Sequence, residues 1–164
     1  MNISNGERTA ERAWHRRFAV ECFNITWALL EKDDRTPDEA EEMIHAAHAA
    51  RFHWGQVGMA VNFARGEWQI ARVYAVLGRG EPALHHAQRC LAACEQHYIG
   101  DFDLAYAYES LARAYAIEGQ PAEARRYLHL AEEAGQEIAN QSDQRMFLHD
   151  LQQVRELLGR DNSL

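Results

Sequence analysis

Cysteine and proline are scarce in this sequence, with three of each in 164 residues. The cysteines are Cys22, Cys90 and Cys94, and the last two lie one turn apart on a predicted helix. That spacing exceeds the Cβ separation of about 3.5–4.5 Å that a disulfide needs. We therefore expect three reduced thiols, buried as small apolar side chains, in a cytoplasmic protein.

Other features are missing, and each absence disfavours a class of function. No apolar run approaches the roughly 20 residues of a membrane span, and the first residues carry no apolar signal core. The net charge of −8 disfavours nonspecific binding to nucleic acid, which depends on neutralising phosphates. There is no glycine-rich phosphate loop and no nucleophile elbow. We therefore predict no catalytic residue and no cofactor, and a binding protein is favoured over an enzyme.

The sequence pattern of a helical hairpin occurs twice in the middle of the chain. Residues 70–78, IARVYAVLG, match residues 111–119, LARAYAIEG, 41 positions later. The matched pairs include Tyr74 with Tyr115 and Gly78 with Gly119. Each glycine stands where a left-handed residue ends a helix without steric strain. A fixed period of this size predicts a stacked array of helices.

At these residues the chain resembles the tetratricopeptide-repeat (TPR) superfamily. The pattern is carried by Glu67, Ile70-Ala71, Tyr74, Ala83 and Ala87 in the first unit, and by Tyr108, Leu111-Ala112, Tyr115, Ala124 and Leu128 in the second. The closing proline of the family is replaced by Glu95 and Gln136, and the period exceeds the usual 34 residues. The whole chain also resembles small uncharacterised bacterial proteins with TPR-like hairpins. The resemblance implies an all-α, right-handed array in one domain, with a groove for peptides or partner proteins.

Seven helices are predicted, forming a degenerate hairpin (7–54), two repeat hairpins (62–97 and 102–138) and a closing helix (142–158). Thr36-Pro37-Asp38-Glu39 has the pattern of a capping box and predicts the start of the second helix. Residues 55–62 are expected to be irregular and to fold over one end of the groove. Residues 160–164 are expected to be frayed.

The strongest candidate site follows from the repeat. Arg65, Trp68 and Arg72 share one face of the third helix, and Tyr106, Glu109 and Arg113 are their equivalents on the fifth. The resemblance places this face in the groove, where the two equivalent arginines would hold an acidic ligand. Alternatively, Glu109 neutralises Arg72 or Arg113 in a salt bridge of the groove wall.

A second candidate is a polar seam that contains Glu42, His45, His48 and Glu67. Glu42 and His45 have the Glu-x-x-His spacing of di-iron bundles, but no second such pair occurs, so we expect no metal and hydrogen-bonded histidines instead. Glu67 lies seven residues before Tyr74 and therefore on the same, inward face of its helix. A buried carboxylate must be paired, with Arg65, His45, His48 or a tyrosine hydroxyl, either as a structural ion pair or as a functional acid.

These patterns favour a noncatalytic scaffold that binds a peptide or a partner protein. The alternative is a small-ligand or metal-binding protein, or an enzyme, with its site between the second, third and fifth helices. A third interpretation is a structural homo-oligomer.

Overall fold

The computed structural model describes residues 5–160, and within this range the regular structure is entirely α-helical. The prediction of an all-α chain is therefore confirmed. The helices are α1 (Asn5–Leu30), α2 (Pro37–Val57), α3 (Ala60–Val76), α4 (Gly80–Gln96), α5 (Asp101–Ile117), α6 (Pro121–Gln136) and α7 (Gln141–Arg160). None of them is long and apolar enough to cross a bilayer. Of the predicted frayed end, residues 161–164 lie outside the described range.

Local sequence signals fix several helix ends. Gly78 and Gly119 have φ values of +68° and +67°, so each ends its helix in the left-handed conformation that glycine adopts freely. At the start of α2, Thr36 Oγ1 accepts the N–H of Glu39 at 3.2 Å, and Glu39 Oε2 accepts the N–H of Thr36 at 2.8 Å. The predicted capping box is therefore present.

The prediction that residues 55–62 are irregular is wrong. Helix α2 continues through Gly55 to Val57, and α3 already begins at Ala60. A single glycine in a helix costs only about 0.5–1 kcal/mol, too little to end α2 when neighbouring helices pack on it. The break is instead at Gly58 and Met59, where the Met59 N–H donates to Asn62 Oδ1 at 2.9 Å. With so short a connection, no loop at this point covers a groove.

The helices pack in consecutive pairs. The most extensive contacts join α1 with α2, α3 with α4, and α5 with α6, and further contacts join α2 to α3, α4 to α5 and α3 to α5. Small buried residues such as Ala71, Ala87 and Ala112 allow this close approach. Since α1 also touches α3, the first helices of the three pairs form one connected layer.

The last helix closes the array, as its apolar stripe predicts. Helix α7 packs on α5 and α6, and its Phe147, Leu151 and Val154 are completely buried. Gly135 of α6 allows this contact, because a Cβ at that position would overlap the ring of Phe147. The three cysteines are free thiols, as predicted, but only Cys90 and Cys94 are buried, whereas Cys22 is half-buried.

Candidate functional site

A pocket of about 490 Å³ lies between α1, α3, α5 and α7, and we call it the groove. Three of the six predicted groove residues line it, namely Arg65, Trp68 and Tyr106. The other three do not line it: Arg72, Glu109 and Arg113. The groove therefore lies on the predicted face of α3 and α5, but different side chains surround it.

Aromatic rings form a continuous wall of the groove. The Trp68 ring lies 5.6 Å from that of Trp27 and 5.3 Å from that of Tyr106, measured between ring centres. Phe102 extends the wall at 4.7 Å from Tyr106, and Phe23 extends it at 6.4 Å from Trp27. The indole N–H of Trp68 is buried, yet it has no hydrogen-bond acceptor in the described part of the chain. The wall thus combines a large apolar surface with one unused donor.

Carboxylates outnumber basic groups around this wall. Asp101, Asp103, Asp143 and Asp150 line the groove, whereas Arg65 is the single basic residue among the described lining residues. Arg65 is already engaged, because its Nε and Nη2 donate to the two oxygens of Asp103 at 2.7 and 3.0 Å. Asp101 and Asp143 make no ion pair within the described residues and give the groove a negative potential, which attracts cations and repels anions.

The two repeat-equivalent arginines lie behind the groove and are held by acids. Arg113 Nε donates to Glu109 Oε1 at 2.8 Å, and Arg113 Nη2 donates to the backbone oxygen of Asp150 at 3.2 Å. Arg72 lies 3.6 Å from Glu109 Oε1 and 3.7 Å from Asp150 Oδ1. Glu109 has a side chain that is only 1% exposed. This is the groove-wall salt bridge that the sequence left open, and it removes the basis for expecting an acidic ligand at these arginines.

Asp150 connects this buried network to the groove. The Tyr106 hydroxyl donates to Asp150 Oδ2 at 2.8 Å. Burial raises the pKa of Tyr106 far above its usual range, and the charge of Asp150 raises it further, so the hydroxyl keeps its proton. The repeat pattern does not predict Asp150, because α7 lies outside the repeats. Asp143, Met146 and Asp150 nevertheless follow an i, i+3, i+7 spacing, which places them on one face of α7.

The second candidate, Glu67, is buried and paired as predicted, but its partners differ from those expected. Oε1 accepts from Arg51 Nε at 2.9 Å and from Arg89 Nε at 3.0 Å, and Oε2 lies 2.7 Å from His86 Nδ1. Burial by itself raises the pKa of Glu67, but the hydrogen bonds from His86 and Arg89 and the charges of both arginines lower it to about 2. The expected partner Arg65 is bonded to Asp103 instead. The side chains of Arg65 and Glu67, two residues apart, therefore point to opposite sides of α3.

The histidines of α2 separate in space. His48 Nε2 lies 3.0 Å from the Tyr74 hydroxyl, whereas His45 and Glu42 are exposed. Burial and the nearby charge of His86 lower the pKa of His48. Among residues 5–160 no group of three or more histidine, cysteine, aspartate or glutamate side chains is arranged to hold a metal ion. The structure shows no convergence of Glu42, His45 and His48.

Comparisons of the chain with protein-family models, with curated proteins and with solved structures find no match. What the groove does must therefore be inferred from its own geometry.

Proposed function

We propose that this chain is a noncatalytic binding module, a TPR-like right-handed array of helical hairpins whose groove holds a basic peptide segment. One observation carries the choice of ligand: of the four carboxylates around the aromatic wall, Asp103 and Asp150 are paired with arginines, and Asp101 and Asp143 have no basic partner within the described residues. The 41-residue repeat, the glycine at each hairpin turn and the closing helix support the array.

The chemistry of the wall favours a cationic side chain. A guanidinium or ammonium group placed against the Trp68 or Trp27 face gains a cation–π attraction of about 0.5–2 kcal/mol. Asp143 and Asp101 add charge complementarity at the same pocket. A volume of about 490 Å³ lies within the roughly 300–1,000 Å³ typical of ligand pockets. It suits one or two long side chains of a peptide.

The volume of the groove favours a peptide over a simple amine, because a small amine would leave most of the aromatic wall uncovered. The ligand is basic rather than acidic because Arg72 and Arg113 do not line the groove and lie in ion pairs with the buried Glu109.

Calorimetric titration tests the proposal. The probes are a capped peptide with two arginines, the same peptide with citrulline in place of arginine, and one with glutamate. We expect the arginine peptide to bind, more weakly as salt is added, and the neutral isostere to bind at least about tenfold more weakly.

Asp143→Asn is the informative variant, because no hydrogen bond of its carboxylate is present in the described structure, so the change removes charge without breaking a contact. It should weaken binding of the arginine peptide by about three- to tenfold. Asp33→Asn is the matched control, since Asp33 is exposed in the turn between α1 and α2 and does not line the groove. Equal binding of the citrulline peptide, or preference for the glutamate peptide, would refute a cation site.

A further inference from the structure

A second cavity of about 200 Å³ lies on the opposite side of α3, between α2, α3 and α4. Arg51, Glu67, Arg89 and His97 are among its lining residues. It is chemically the reverse of the groove, since guanidinium groups outnumber carboxylates here. This contrast is local, because the chain as a whole carries a net charge of −8.

Glu67 has more counter-charge than a buried carboxylate requires. One guanidinium neutralises one carboxylate, yet Glu67 receives Arg51, Arg89 and the His86 ring together. Its side chain is 4% exposed, whereas the Arg89 side chain is 52% exposed and reaches the surface. One arginine is enough to balance the charge of Glu67, so the two together bring one more positive charge than the carboxylate requires.

Both arginines donate to Glu67 through Nε, so their terminal Nη groups remain available to a ligand. Arg51 Nε and Arg89 Nε donate to the same oxygen of Glu67 at 2.9 and 3.0 Å. Within residues 5–160 the structure shows no hydrogen bond from the Nη atoms of Arg51 or Arg89. The guanidinium of Arg51 is further fixed over the Phe63 ring, 4.8 Å from its centre. Two fixed guanidiniums with free N–H groups thus line one cavity.

The local charge favours an anion. The last turn of α4 also lines the cavity and contributes roughly half a negative charge. The two guanidiniums outweigh Glu67 and this helix end together. Guanidiniums present planar forks of N–H donors that match the oxygens of phosphate and carboxylate groups.

The size of the cavity limits what it can hold. Its volume of about 200 Å³ is below the roughly 300–1,000 Å³ of pockets that bury drug-sized ligands. A small tetrahedral oxyanion fits these dimensions and has enough oxygens to accept from both arginines at once. A single planar carboxylate has fewer acceptor oxygens for the same donors.

We propose that Arg51 and Arg89, held in place by Glu67, form a phosphate-binding site between α2, α3 and α4. The site is separate from the peptide groove, and its existence does not depend on the groove's ligand.

Inorganic phosphate is the probe, measured by calorimetric titration at constant ionic strength, with sodium chloride and sodium acetate as comparison salts. We expect saturable phosphate binding and at least about tenfold weaker binding of acetate. Arg89→Gln should weaken phosphate binding at least about tenfold, while Arg126→Gln should leave it unchanged. Arg126 is a suitable control because it is an exposed arginine on α6 that also pairs with a glutamate.

Arg89→Lys separates binding from stability. Lysine keeps the charge next to Glu67 but loses the planar fork, so phosphate binding should fall while the melting temperature stays that of the wild type. The proposal is overturned if phosphate acts no differently from chloride, if acetate binds as tightly as phosphate, or if both Arg89 variants bind phosphate as the wild type does.

Discussion

Replacing Glu67 by glutamine tests the buried ion cluster most directly. Glutamine has nearly the same shape and keeps one acceptor oxygen but has no charge, so the ion pairs with Arg51 and Arg89 are lost while the packing is kept. The pKa of Glu67 is about 2 in the folded protein, against about 4.3 for an unperturbed glutamate. At 1.36 kcal/mol per pKa unit, the charged carboxylate contributes about 3 kcal/mol to the free energy of unfolding at pH 7. A similar loss of about 3–5 kcal/mol is typical when one partner of a buried pair is removed.

The pH dependence distinguishes this reason from a general packing defect. A carboxylate whose pKa is lowered by folding stabilises the protein above its unfolded pKa and loses this effect as the pH falls through its folded pKa. The contribution of Glu67 should therefore shrink from about 3 kcal/mol at pH 7 to about 1.4 kcal/mol at pH 3. The difference between wild type and Glu67→Gln should shrink with it.

Urea unfolding followed by circular dichroism at several pH values measures this difference. Glu41→Gln is the control, because Glu41 pairs with Arg79 at 3.1 Å but its side chain is 57% exposed. An exposed pair of this kind contributes at most about 0.5–1 kcal/mol. The reasoning is refuted if Glu67→Gln is as stable as the control variant, or if its deficit is the same at pH 3 and pH 7.

Two further changes test the groove wall and the hairpin turns. Replacing Arg72 and Arg113 together with alanine should lower the free energy of unfolding by about 3–5 kcal/mol, because Glu109 is left charged and buried; an unchanged urea midpoint would show that the network is not structural. Gly119→Val should destabilise the fold by more than about 1 kcal/mol, since φ is +67° there. The control Gly159→Ala lies inside α7 in open space and should be neutral or stabilising. Thermal unfolding measures both variants, and equal melting temperatures of the two would contradict the strain argument.

The sequence predicted those parts of the fold that depend on local chemistry. Gly78 and Gly119 mark turns because a positive φ selects glycine, and Thr36 with Glu39 marks a helix start because both groups satisfy free N–H donors. The apolar spacing along α7 predicted its buried face. The prediction that α2 ends at Gly55 is wrong because packing, rather than one residue's preference, decides where the helix ends.

The candidate site was predictable only in part. The periodicity of α3 and α5 is enough to place Arg65, Trp68 and Tyr106 on a shared face. It does not show that Trp27 from α1 and Asp150 from α7 complete the same pocket, since both come from outside the repeat.

Periodicity along each helix thus determined the seven helices and the direction in which Glu67 and Trp68 point, and the 41-residue repeat determined their paired order. Which side chains meet was decided only by the tertiary structure. Arg72 faces Glu109 rather than a ligand, Arg65 is bound by Asp103, and Glu67 meets Arg51 and Arg89 from two other helices. The physical reason is that ion pairs between helices depend on separations of a few ångströms, which the stacking of helices sets and no spacing along one helix encodes.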